Sequence, residues 1–296
     1  MSVSERPLTL MAVHAHPDDE ASGTGGLLAR SAAEGVRTVL VTCTDGRCGD
    51  GPGGTKPGQP GHDPQAVAAL RGAELAKSCE LLGVSQLELL GYADSGMMGW
   101  PTNDAPGSFW TVPVPVAAER LAAVMRRERP DVVVTYDENG FYGHPDHIQA
   151  HRITVAALDR LSADEQPAKV YWTTMPRTTI AELISRMSDE AAASAEQVAG
   201  EPDAGGPDAG GPDAGEPPSL GLPDEDITTW VDISGYTDQK FDALSAHESQ
   251  PDNAFFTALG RQEFARLLGV ETFVRVRDTT GTPTPEDDVF SGLRGR

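Results

Sequence analysis

Short runs of apolar and β-branched residues recur along this chain, each followed by a segment with helical spacing. That alternation leaves few folds open. "LTLMAV" (Leu8–Val13) and "RTVLVTC" (Arg37–Cys43) read as buried strands. Gly23–Gly35 between them reads as a helix with Leu27, Leu28 and Ala32 on one face. Strand, helix and strand in so short a stretch form a βαβ unit, whose two strands run parallel. The pattern continues with strands at Leu87–Tyr92, Asp131–Tyr136 and Lys169–Thr174 and helices over 65–82, 115–129 and 145–161. It predicts an α/β fold: an open, mostly parallel, Rossmann-like sheet with helices on both faces. In such a sheet the active site lies at the carboxyl ends of the strands.

One segment breaks the pattern. "PDAGGPDAGGPDAGE" (Pro202–Glu216) repeats a five-residue unit and holds no apolar residue larger than alanine. Such a composition cannot offset the entropy of ordering, so 190–222 is expected to be a disordered insertion. The catalytic domain then spans 1–189 and is completed by 223–278. That second part carries a strand at Ile227–Ile233, helices over 235–248 and 258–268, and a strand at Glu271–Val276. Residues 279–296 are expected to form a flexible tail.

Charge narrows the partners. The net charge is −22, and the eleven acidic residues between Ser188 and Asp226, with no Lys or Arg among them, account for half of it. A phosphate-binding surface needs clustered basic residues, so neither nucleic acid nor an anionic membrane is an expected partner. The three cysteines include no CxxC pair, which argues against a disulfide framework or a zinc ribbon. The N-terminus lacks a basic start with a long apolar run after it, so a cytoplasmic protein is expected. Oligomeric state is not legible.

Two polar clusters follow predicted strands. "HAHPDDE" (His14–Glu20) follows the first, and "YDENGFYGHPDHIQAH" (Tyr136–His151) follows the fourth. Both should meet at one edge of the sheet. A catalytic zinc site uses three His, Asp or Glu ligands and keeps one position open. His16 and Asp19 can supply two ligands from the first cluster. His144 and His147 are three apart near a helix start and share a face, so one can be a ligand while the other faces the substrate. Asp18, beside Asp19 in a loop, can stay free as a general base. His14 is read as a strand-end residue with a structural hydrogen bond, His151 and His247 as helix-face residues, and His62 as exposed.

"AHPDDE" followed by "GHPDH" resembles the PIG-L/LmbE-like family of zinc-dependent N-deacetylases. The likeness covers most of 8–160 and resumes at Val231–Gln250. Within the family it is to the branch that deacetylates N-acetylglucosaminyl-inositol in mycothiol biosynthesis. The resemblance implies a hydrolase that removes an N-acetyl group from an N-acetylglucosamine-type sugar, giving acetate and a free amine. It implies one zinc ion, with iron as the alternative, on His16, Asp19 and His147. Asp18 matches the general base, and His144 the residue that stabilises the tetrahedral intermediate or protonates the leaving amine. Tyr142 matches a tyrosine that helps polarise the amide carbonyl, and Arg71 and Asp94 match sugar-contacting positions.

The substrate stays open at this stage. "GTGG" (Gly23–Gly26) stands where mycothiol-pathway members carry a polar or charged side chain. An amidase for mycothiol S-conjugates and a deacetylase of another N-acyl amino sugar are the alternatives. A metal phosphohydrolase would want more carboxylates or a basic clamp. A sugar-binding protein with a dead site would be expected to have lost a ligand or the base. The Gly-rich loop 45–63 is expected to form a flexible rim over the site.

Overall fold

The computed structural model describes residues 6–186 and 220–295. The first five apolar runs form β1 (Thr9–His14), β2 (Arg37–Thr44), β3 (Gln86–Tyr92), β4 (Val132–Thr135) and β5 (Lys169–Thr174), all paired in parallel. β6 (Thr229–Asp232) and β7 (Val270–Asp278) complete the sheet, with β7 antiparallel to both β5 and β6. The order is β3-β2-β1-β4-β5-β7-β6. The sheet is thus mostly parallel with an antiparallel edge, as the alternation predicts.

Alternate residues of the central strands feed two cores. Leu10 and Ala12 pack with Leu40, Val132, Leu28 and Leu75 on one face. Met11 and Val13 pack with Val39, Val133, Leu121 and Ile153 on the other. A strand presents successive side chains to opposite faces, so a continuous apolar run suits a strand covered on both sides. Fully burying each such side chain contributes about 1.5–3 kcal/mol. α1 (Asp19–Ala33) and α2 (Pro64–Leu82) cover the first face, and α3 (Val114–Glu128) covers the second. The start of α2 is written locally: Pro64 opens it, and the Asp63 carboxylate accepts from Gln65 N at 3.0 Å.

Five further helices among the described residues follow a single helical turn, α4 (Gly140–Gly143). α5 (Pro145–Leu158) packs beside α3, and residues 177–186 form α6. α7 (Thr237–Ser245) joins α1 and α2. The segment expected as one helix over 258–268 is instead preceded by α8 (Asp252–Ala258), and α9 (Gly260–Leu268) starts at Gly260, whose φ is 72°.

Several expectations are corrected. α1 begins at Asp19 rather than Gly23, so Asp18 is its N-cap and only Asp18 of the two aspartates lies outside the helix. The glycines of "GTGG" serve packing: a Cβ at Gly26 would stand 2.6 Å from the Ile233 side chain. There the Glu271 carboxylate accepts from Gly26 N and Leu27 N at 2.8 Å each and from Lys240 Nζ at 2.7 Å. Residues 279–295 are no loose tail. Val289 and Phe290 are buried, and Glu286 accepts from Lys169 Nζ at 2.7 Å and Tyr171 Oη at 2.6 Å. Of the segment expected to be disordered, 190–219 lies outside the described residues. Its end is placed, with Leu222 N donating to Met175 O at 3.0 Å.

Strand order positions the site. From β1 the chain moves through β2 to β3 on one side, then crosses back to β4 on the other side of β1. The loops after β1 and β4 therefore diverge and leave a crevice at their carboxyl ends, the place where open α/β sheets bind ligands.

Candidate active site

The two polar clusters face each other across that crevice. His16 Nδ1 lies 3.3 Å from His147 Nε2 and 3.3 Å from Asp19 Oδ2, and His147 Nε2 lies 3.4 Å from Asp19 Oδ1. A tetrahedral ion with bonds of about 2.0–2.2 Å separates its donors by about 3.3–3.6 Å. Each pair of these side chains thus offers donors at a spacing that suits one cation, with Asp19 facing His16 through Oδ2 and His147 through Oδ1.

The hydrogen bonds behind the rings fit it too. His147 Nδ1 is 3.2 Å from Gly140 O, which can only accept, so the proton sits on Nδ1 and Nε2 presents a lone pair. Tyr136 stacks on the same ring at 4.2 Å between centroids. His16 Nε2 is 3.2 Å from Asp146 Oδ2, which leaves Nδ1 facing Asp19 and His147. Asp146 is itself held by Ser95 N at 2.8 Å and by the Ser95 hydroxyl. A carboxylate behind a ligating imidazole sets its tautomer and raises its basicity.

His144 is oriented differently. Its ring nitrogen lies within 4.8 Å of those of His16 and His147. However, Nδ1 accepts from Asp146 N at 3.1 Å, so a neutral ring carries its proton on Nε2. Burial, with the charges of His16 and His147, pushes its pKa down to about 2. His144 is thus a neutral hydrogen-bond donor. Burial likewise takes His147 down to about 4 against the pull of Asp19. Burial would lower His16 as well, but Asp94, Asp146 and Asp19 outweigh it and hold that ring well above its usual value.

The adjacent aspartates are driven apart. Burial raises Asp18 to about 6, with Arg71 opposing and Asp19 adding. Burial would raise Asp19 too, but His147 and His16 hold it well below the usual carboxylate range. Two neighbouring carboxyl groups with divergent proton affinities can take different roles, one fixed as an anion and one able to exchange a proton near neutral pH.

The remaining sequence-marked residues are placed around this centre. Tyr142, 42% exposed, sits with its ring centroid 5.1 Å from that of His147. Asp94 accepts from Gly96 N at 2.8 Å and Cys48 N at 3.1 Å, and its Oδ1 lies 3.6 Å from His16 Nε2. Arg71 is held close to Asp18. It is 5% exposed and donates to Pro17 O at 2.5 Å, Gly46 O at 2.8 Å and Asp18 Oδ2 at 3.0 Å. The guanidinium braces Asp18 and ties α2 to the loops after β1 and β2.

Other histidines carry structural contacts. His14 Nε2 pairs with Thr24 Oγ1 at 2.8 Å, and His151 Nδ1 donates to Tyr136 O at 2.9 Å. His62 is half-buried against Gly49 O rather than exposed. His247 is no helix-face residue: it lies past the end of α7, buried, with Nε2 2.7 Å from Glu20 Oε1. Sequence reading passed over Asp146, Tyr136, Glu20 and His247 as site residues. The first three stand inside the two polar clusters, so position alone could have flagged them. Nothing local marks His247. A cavity of about 550 Å³ opens beside Asp18, Asp19, Tyr142 and His147 and runs to Trp230 and Leu244.

Comparison with known proteins agrees with this geometry. A family model described as GlcNAc-PI de-N-acetylase (PIG-L) matches residues 11–158. The chain is 40% identical to 1D-myo-inositol 2-acetamido-2-deoxy-alpha-D-glucopyranoside deacetylase of Acidothermus cellulolyticus, over 96% of this chain and 95% of the relative. It is 41% identical to the protein of that name from Streptomyces griseus, over 96% of this chain and 88% of the relative. N,N'-diacetylchitobiose deacetylase of Pyrococcus horikoshii shares the fold, with a TM-score of 0.58 at 18% identity, over 94% of this chain and 86% of that one.

Proposed function

The chain belongs to the PIG-L family of GlcNAc-PI de-N-acetylases, and from that premise we propose that it hydrolyses the acetamide of N-acetylglucosaminyl-inositol to acetate and a free amine. The observation that carries this reading is the pairing of a three-donor cluster, His16, Asp19 and His147, with the carboxyl group of Asp18, which lines the same cavity as Asp19 and His147. The named relatives, similar over nearly the whole chain, support the sugar. No helix among the described residues is long and apolar enough to cross a membrane, which is compatible with work in the cytoplasm.

His16, Asp19 and His147 would hold the ion, for which zinc is the first choice. When bound, it would polarise the amide carbonyl and make nearby water more acidic. The chain's own groups do the rest. Asp18 takes a proton from the water as its oxygen attacks the carbonyl carbon. The Nε2–H of His144 and the Tyr142 hydroxyl donate to the oxyanion that develops. Asp18 then returns its proton to nitrogen as the C–N bond breaks, because an amide anion is a very poor leaving group. Arg71 acts through Asp18, and Asp94 is the sugar contact that the family likeness implies.

The test compares amine release from N-acetylglucosaminyl-inositol, plain N-acetylglucosamine and a cysteinyl amide of glucosaminyl-inositol. Strong preference for the first is the predicted result. Preference for the cysteinyl amide would move the assignment to a conjugate amidase, and equal rates on the first two would remove inositol from recognition.

A further inference from the structure

We propose that Glu20 and His247 are a positioning pair for this reaction, holding the Asp18 backbone in the conformation that aims its carboxylate into the site. The inference rests on the reading of Asp18 as the base. Asp18 has φ 106° and ψ −28°, a left-handed backbone that residues with a Cβ disfavour. Something must hold it there. Its N–H donates to Glu20 Oε2 at 2.9 Å, and its carbonyl accepts from Ala21 N at 3.0 Å in the first turn of α1.

Glu20 is fully buried, and its other oxygen is fixed from two sides. Oε1 accepts from Ser78 Oγ at 2.5 Å and lies 2.7 Å from His247 Nε2. A buried carboxylate keeps its place only while its oxygens are satisfied. His247 is therefore the distant support of the Asp18 peptide, reaching Glu20 from 227 residues along the chain. The same segment grips Asp18 a second time, because Asn253 Nδ2 donates to Asp18 Oδ2 at 3.3 Å. Backbone and carboxylate of the base are thus both referenced to the stretch after α7. His247 itself is anchored at both ends, its N–H to Leu244 O and its carbonyl to Gln250 N, at 3.1 Å each.

A merely structural pair would affect stability alone. A positioning pair affects kcat, since misplacing a reacting group by about 1 Å can cost about a hundredfold in rate. The test uses the zinc-loaded full chain and the variants His247→Ala, His247→Gln, Asp18→Asn and the double variant Asp18→Asn/His247→Ala. His247→Ala is predicted to lose about 10–100-fold in kcat with KM within about twofold and zinc content unchanged. His247→Gln, whose amide still donates to Glu20, recovers most of the loss. On an Asp18→Asn background, His247→Ala costs nothing further. Unchanged kcat in His247→Ala overturns the proposal, and so does an equal loss in both backgrounds. If the alanine variant does not fold, His247→Asn, whose shorter amide falls short of Glu20, takes its place. An Asp18→Asn chain that keeps turnover would instead refute the base assignment, a distinguishable result.

Discussion

His16 Nε2 lies 3.2 Å from Asp146 Oδ2, while the other nitrogen of the same ring faces His147 at 3.3 Å. Asp146 thus decides which edge of His16 is free to bind a cation. Replacing Asp146 with alanine should weaken zinc binding by about 10–100-fold without removing a ligand. Competition against a chromophoric chelator measures this. Unchanged affinity would mean that His16 is oriented by Asp94 or by the loop backbone instead.

The Lys240–Glu271 pair is buried and braces the glycines of α1. Lys240→Met strands the carboxylate, and the expected cost is about 3–5 kcal/mol. Adding Glu271→Gln should recover much of it, because the charge is then gone. Urea denaturation of both variants checks the order of stabilities.

Stability should also follow the titration of Glu20 and His247. Burial would lower the pKa of His247, but the charge and hydrogen bond of Glu20 raise it above 6.5. A group raised on folding stabilises below its unfolded pKa and loses that contribution as pH rises through the folded value. Glu20 behaves in the opposite sense. Burial would raise it, but His247 and Ser78 bring it below 4.5, so its contribution is present above 4.5 and lost as pH falls through the folded value. The pair is therefore most stabilising between pH 4.5 and 6.5. The difference in Tm between the parent chain and His247→Gln should be largest there and shrink as pH rises through the folded value of His247. A difference independent of pH would contradict the assignment of charge to this pair.

The C-terminal segment should be indispensable to the fold. Phe290 is 1% exposed in the core that holds α1, α7 and α9. Phe290→Ala is predicted to cost about 3–5 kcal/mol, read by thermal unfolding. A loose tail would give no shift.

Legibility followed locality. The five parallel strands were readable because each is a continuous apolar run, and both motifs were readable because each follows one of those strands. The start of α1 was not, because "DDEASGTGG" has little apolar periodicity and Asp18 caps with an unusual backbone rather than a side chain. Residues 279–295 were misread because their anchors, Glu286, Val289 and Phe290, are isolated in a polar, Gly- and Pro-rich stretch. Their partners Lys169 and Tyr171 are more than a hundred residues away. His247 was misjudged for the same reason: it is defined by a contact with Glu20, 227 residues away.

The most direct measurement is amine release from N-acetylglucosaminyl-inositol by the metal-stripped chain, before and after adding one equivalent of zinc. The account predicts negligible release before and turnover after, with His16→Ala showing none in either state. Full turnover by the stripped chain would contradict the role given to His16, Asp19 and His147. Zinc bound at these residues with no release would contradict the deacetylase itself.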